Sequence, residues 1–200
     1  MISNFLAFGF VIGIRHALDA DHVAAVMSLA TRGGTIARQA RQGALWGLGH
    51  TLTLLLVGGA CILSGLTIPE ASESWLEAAV GAMLVVLGVS VFVRTGHQHD
   101  PTRRRLPLQA WCVGAVHGLA GSAALVLLVA QSARTPMLGL LCIAAFGLGS
   151  ILGMTVLAAA IAMPLEATSR MRGRLHAILC GGAGAFSVLL GAKMLWTFAS

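Results

Sequence analysis

The sequence predicts an all-α integral membrane protein, with six transmembrane helices arranged as a 3+3 inverted repeat and the first helix interrupted. Three observations lead there. The 200 residues are 57% hydrophobic and only 10% charged, with a mean hydropathy of +0.87, whereas soluble chains carry about 25% charge. A chain this poor in charge cannot cover its surface with polar groups, so much of that surface must face lipid. Apolar runs of spanning length alternate with connections that hold nearly all the charge. The chain also resembles itself at an offset of roughly one hundred residues. At roughly 20 residues per span the length accommodates about six helices and leaves no room for a sizeable soluble domain. That excludes a membrane-anchored soluble enzyme.

The apolar runs fall at about 2–30, 43–66, 76–94, 109–131, 136–163 and 174–198. No basic region precedes the first run, which is therefore expected to be retained rather than cleaved as a signal peptide. The connection 31–42 is basic, 67–75 is acidic through Glu70 and Glu73, 95–108 is basic, 132–135 is short and 164–173 is basic again. Ten of the thirteen Lys and Arg residues mark the first, third and fifth connections: Arg32, Arg38, Arg41, Arg94, Arg103, Arg104, Arg105, Arg170, Arg172 and Arg174. By the positive-inside tendency those connections are cytoplasmic, which puts both termini on the outer side of a multi-pass protein of the cytoplasmic (inner) membrane. The net charge of +6 and pI near 10.5 thus report orientation. They form no single patch of the kind that binds nucleic acid, and none is expected as a partner. Cys61, Cys112, Cys142 and Cys180 each stand alone in apolar sequence, without metal or redox spacing, and read as packing residues.

Three local matches, in order, carry the internal repeat. Gly13, His16 and Leu18 recur as Gly114, His117 and Leu119; Trp46-Gly-Leu-Gly-His50 recurs as Phe146-Gly-Leu-Gly-Ser150; and Gly81 to Gly88 recurs as Gly184 to Gly191. A unit of three spans is odd, so the second copy must enter the membrane from the opposite side. Inverted repeats are common in secondary transporters, with the site near the bilayer midplane where the halves meet. The expected organisation is a first three-helix repeat at 1–94, a basic cytoplasmic linker at 95–108 and a second repeat at 109–200. Small residues one turn apart, at Gly43 and Gly47, Gly114 and Gly118, and Gly149 and Gly153, suit close helix packing in lipid. No Walker-type nucleotide motif and no His-Glu-x-x-His protease motif is present, and the protein is not expected to be an enzyme.

The polar insertion Arg15-His16-Ala-Leu-Asp19-Ala-Asp21-His22 interrupts the first run near mid-depth. Its three charged residues imply an insertion cost of roughly 8–10 kcal/mol before pairing, so the segment needs compensation. Arg15 and Asp19 are four apart and would be neighbours on a helix. His16, Asp19 and His22 would share one broad face while Asp21 points away. Either Asp21 serves an outer shell or another helix, or the helix unwinds here. Imidazoles with carboxylates form a donor set for a divalent metal of intermediate hardness. The competing readings are a proton relay of Asp and His and an internally paired cluster that only fixes packing. His50, in the second span, is a fifth candidate ligand beside His16, Asp19, Asp21 and His22. Arg15, His117, Ser122 and Ser150 are candidates for the permeation path or for orienting the site. His97, His99 and Asp100 read as a solvated loop, and His176 as an interfacial residue.

Arg15 to His22, read RHALDADH, resembles the signature of the nickel/cobalt transporter superfamily, whose His-x4-Asp-His core is matched by His16, Asp21 and His22. Leu48-Gly49-His50-Thr51 is similar to the second-span element of that family, and His117 to Leu125, HGLAGSAAL, resembles its compact six-span urease-accessory branch. The chain departs from the longer members, which carry about eight spans and further acidic motifs. The resemblance implies transport of Ni2+ or Co2+ across the cytoplasmic membrane, most simply uptake for a nickel enzyme such as urease or hydrogenase, with no permanently bound cofactor. Its partners would be the metal ion, the bilayer and either a second copy of the chain or a metalloenzyme maturation protein. The alternatives are a membrane metallochaperone that hands metal on without flux, and a nickel/cobalt exporter.

Overall fold

A computed structural model describes residues 2–65, 69–94, 106–120, 133, 135–169 and 173–200. Among them are seven helices and no strand: α1 Ile2–His16, α2 Ala20–Ala30, α3 Ile36–Ser64, α4 Glu70–Arg94, α5 Leu106–Ala120, α6 Pro136–Ser169 and α7 Arg174–Ala199. Among the described residues, four segments are long and apolar enough to cross a membrane: Ile36–Ser64, Ser72–Val93, Pro136–Ser169 and Arg174–Ala199. The first expected span is divided. Its two pieces hold 15 and 11 residues, or about 22 and 16 Å of helix, and neither alone crosses a hydrocarbon layer of about 30 Å. Of the fourth expected span, only the part up to Ala120 is described.

Helix ends outrun the apolar runs. α3 begins at Ile36, within the expected basic connection, because Thr35 caps it: the Thr35 hydroxyl accepts from the Arg38 amide at 3.3 Å. α4 begins at Glu70, directly after Pro69, and α6 continues through Pro164 to Ser169. Hydropathy marks where lipid ends, whereas backbone hydrogen bonding continues into the aqueous layer. Gly33 and Gly34 turn the chain between α2 and α3 with φ of 72° and 126°, a region that L side chains rarely adopt. The same connection is tied down where Arg32 donates to Gln109 on α5 and where Glu166 on α6 accepts from the Ile36 amide at 2.9 Å. His176 Nδ1–H donates to Thr168 at 3.1 Å, fastening the end of α6 to α7.

α3 lies at the centre, packed on α5 and α6; α1 packs on α6, α4 on α7, and α2 against α4, α6 and α7. Trp46, Leu84 and Met154 are fully buried in the main core, while Leu56, Val86, Leu148 and Leu189 point outward. So many exposed large apolar side chains are the signature of a lipid-facing surface. Glycine permits the close contacts, and they come in corresponding pairs. A methyl on Gly13 would land on the Phe146 carbonyl, and one on Gly114 on the Trp46 carbonyl. Gly149 lies against the carbonyl of Phe10, and Gly49 against that of Trp111. Gly88 and Gly184 abut each other's carbonyls, as do Gly81 and Gly191.

Two serines hold α2 in place. Ser187 on α7 donates to the Ala24 carbonyl at 2.7 Å and accepts from Ser28 at 2.7 Å, all of it buried. In lipid such a bond replaces an otherwise unsatisfied polar group, so it locates the short helix.

Candidate metal centre

The break between α1 and α2 builds the site. After His16 the chain makes a tight turn, with the Leu18 amide donating to the Arg15 carbonyl at 2.9 Å and the Asp19 amide to that of His16 at 3.0 Å. Asp19 is then extended, with φ −62° and ψ 147°, and stands at the N-cap of α2, but its carboxylate does not cap that helix. It accepts instead from His16 Nδ1–H at 2.7 Å. A single regular helix would have placed Asp19 beside Arg15. With the helix ended at His16 that register does not exist, so the expected Arg15–Asp19 neighbour pair is replaced by His16–Asp19, and Arg15 is exposed.

Two groups of donors result. His16, His22 and His50 bring ligand atoms within 4.8 Å of one another, and so do Asp21, His22 and His117. His22, His50 and His117 are 0–1% exposed. Ring centroids lie 4.6 Å apart for His16 and His22, 5.3 Å for His16 and His50, and 4.7 Å for His22 and His117. Three of the imidazoles are oriented by an oxygen on Nδ1: His16 by Asp19, His22 by Asp21 at 3.1 Å, and His117 by the Val113 carbonyl at 3.1 Å. Those oxygens can only accept, so Nδ1 carries the proton and Nε2 keeps a lone pair. Fixing one ring nitrogen on a carboxylate or carbonyl so that the other can coordinate is the usual arrangement around metal-bound histidine. Nε2 of His22, Nε2 of His117 and both nitrogens of His50 are buried with no hydrogen-bond partner. Buried polar atoms left unpaired cost about 1–3 kcal/mol each, and here several converge on one place. A divalent ion would satisfy them together.

Residues 3–105 match the NicO family, described as high-affinity nickel-transport protein. The chain is 33% identical to the urease accessory protein UreH of Bacillus sp. (strain TB-90) across 96% of its own length and 91% of that protein. The chain belongs to this nickel-transport family. It is also 27% identical to the chloroplast protein FOR GROWTH AND FERTILITY 2 of Arabidopsis thaliana over 73% of the chain, which is 44% of that longer protein. No solved structure matches the chain.

Of the residues the sequence singled out in this family member, the fold gathers His16, Asp21, His22, His50 and His117. Asp19 stands outside both groups, its side chain 54% exposed, and acts on His16 alone. Arg15 is on α1 but turned outward. Ser150 is buried with its hydroxyl unpartnered, one turn beyond Phe146 on α6. Ser122, with His97, His99 and Asp100, lies outside the described residues. Sequence reading did not single out the site's aromatic walls. Phe146 packs on His16 at 5.3 Å, and Trp46 on His117 at 5.2 Å. The signal was present, since Trp46 and Phe146 are partners in the internal repeat and each stands four residues before a polar member of it, His50 or Ser150.

Proposed function

We propose that this chain is a secondary transporter that carries Ni2+ or Co2+ inward across the cytoplasmic membrane, and that the ion supplies a nickel enzyme of the urease type. The observation that carries the reading is the convergence of buried imidazoles whose Nε2 lone pairs have no partner, beside the carboxylate of Asp21. A nitrogen-rich set with one hard oxygen suits Ni2+ and Co2+ and is unsuited to Cu+. Similarity to a urease accessory protein over nearly the whole length supports the destination. His16, Asp21, His22 and His50 supply the ligands, Asp19 orients His16, and His117 with Ser150 lines the far side.

The architecture belongs to the same reading: six spans in two inverted repeats, 1–94 and 109–200, joined by the basic cytoplasmic linker 95–108, with both termini outside. The paired glycine contacts support it, because Gly13 on Phe146 and Gly114 on Trp46 are one contact repeated with the two halves exchanged. So are Gly149 on Phe10 and Gly49 on Trp111.

The test is metal flux with direction. Proteoliposomes holding the full chain should take up Ni2+ or Co2+ saturably, and His22→Ala should cut uptake at least tenfold in protein that still elutes as a single folded species. Stoichiometric binding with no flux under any gradient would make the protein a metallochaperone. A host deletion that raises nickel sensitivity, rather than lowering nickel-enzyme activity, would make it an exporter.

A further inference from the structure

The two donor groups share one residue and cannot be filled at once. His22 offers a single free lone pair, on Nε2, because its Nδ1–H is committed to Asp21. We propose that the cargo has two successive stations, one of His16, His22 and His50 and one of Asp21, His22 and His117, and that His22 hands the ion from the first to the second. The inference rests on the transport reading and adds a second station to it.

Asp21 and His117 make the case for the second. Asp21 Oδ2 and His117 Nε2 face each other at 3.7 Å. The neutral His117 ring donates its one N–H from Nδ1 to the Val113 carbonyl, so Nε2 and the carboxylate are two acceptors facing each other. With His117 buried and Asp21 half-buried, the opposed lone pairs call for a cation. His117 also lies beyond the stretch 3–105 matched by the family, and it is the repeat partner of His16. Each of the two sits close to His22, at 4.6 and 4.7 Å, and each rests on its own aromatic wall, Phe146 or Trp46. His22 therefore stands midway between two corresponding imidazoles.

The donor sets differ in a way that gives the transfer a direction. The first station is three neutral imidazoles. The second exchanges one of them for a carboxylate, whose negative charge strengthens the hold on a divalent ion in a dry site. Passing between them requires only that His16 and His50 let go as Asp21 and His117 take hold, with His22 bound throughout.

Co2+ is the probe, because its d–d absorption reports the number and type of ligands. The full chain, His50→Gln, His117→Gln and His22→Ala are compared for equilibrium Co2+ binding, for the d–d spectrum and for Co2+ flux in proteoliposomes, with the melting temperature as a check on folding. We expect one Co2+ per chain in the parent. We expect one also in His50→Gln and in His117→Gln, with spectra that differ from each other, and flux reduced at least tenfold in both. His22→Ala should lose binding and flux together. Parent-like flux in His117→Gln overturns the second station. Loss of binding in either single Gln variant, as complete as in His22→Ala, overturns the division and leaves one five-ligand site. A parent chain that binds Co2+ but never moves it removes the transport reading and the handover together, whereas the two preceding results leave transport standing.

Discussion

Gly13→Ala is a one-methyl perturbation of the candidate metal centre made without touching any of its donor side chains. Gly13 sits one turn before His16, where α1 lies on α6. The added methyl would land on the Phe146 carbonyl oxygen, 2.8 Å from the carbonyl carbon and 3.0 Å from the Ser150 amide nitrogen. All three are backbone atoms of one helix and cannot turn aside. In a close-packed interior the helices must then part by about 1 Å. Overpacking of this kind costs about 1–3 kcal/mol, which for a chain of this size lowers the melting temperature by about 3–10 °C. The functional effect should be larger, because ligand atoms must hold to within about 0.2 Å of their bonding distances. A displacement of about 1 Å in α1 carries His16 away from His50, and Phe146, which walls His16, stays with α6. Nickel uptake should fall at least tenfold. The assay is equilibrium Ni2+ binding and uptake in proteoliposomes, with Gly182→Ala as control, since a methyl there meets open space. Gly13→Ala with parental affinity, uptake and melting temperature would refute the claim that this contact sets the ligand geometry.

Asp19→Ala should cut Ni2+ uptake about 10–100-fold by freeing the His16 ring, and Asp19→Asn should recover most of it, because an amide oxygen still accepts from Nδ1–H; equal loss in both would mean that the carboxylate itself binds metal. Ser187→Ala leaves the buried Ser28 hydroxyl without its acceptor and should destabilise the chain by about 1–3 kcal/mol, read as a lower melting temperature. Adding Ser28→Ala should return part of it, and further loss in the double variant would sink that account. Single cysteines placed at the two ends of an otherwise cysteine-free chain should both react with an impermeant thiol reagent from the outer side of intact cells. Labelling of either only after permeabilisation would reverse the orientation.

The candidate metal centre was legible in sequence to the extent that burial cost made it so. Charged and imidazole groups at mid-depth of an apolar run are expensive, and Arg15 to His22 announces itself for that reason. The direction of each side chain was not legible. Whether Asp19 meets Arg15 or His16 depends on whether the helix continues past His16, and composition is silent about a break that three residues make. The approach of His117 was hidden for another reason. It is a lone histidine in apolar sequence, and only the packing of α5 on α3, where Gly114 and Gly118 lie on the carbonyls of Trp46 and His50, brings it to His22. The repeat partly disclosed this contact, since it paired His117 with His16. The helix ends at Ile36, Glu70 and Ser169 escaped because hydropathy follows the solvent and not the backbone.

The two stretches of sequence that resemble each other share glycine positions but not donor side chains. Corresponding glycines make corresponding contacts, whereas the candidate ligands are concentrated in the first stretch: His22 has Ala123 as its counterpart, Asp21 has Ser122, and His50 has Ser150. Two equal sites facing each other would bind an ion equally well in either half and give it no reason to leave. His16, His22 and His50 stand on α1, α2 and α3, and these helices pack chiefly on helices after residue 105: α1 on α6, α2 on α7, and α3 on α5 and α6. The two stretches therefore interlock rather than stack as separate bodies. Asp21 on α2 and His117 on α5 meet across that interlock, so a single buried histidine from the later stretch is enough to complete the second group of donors.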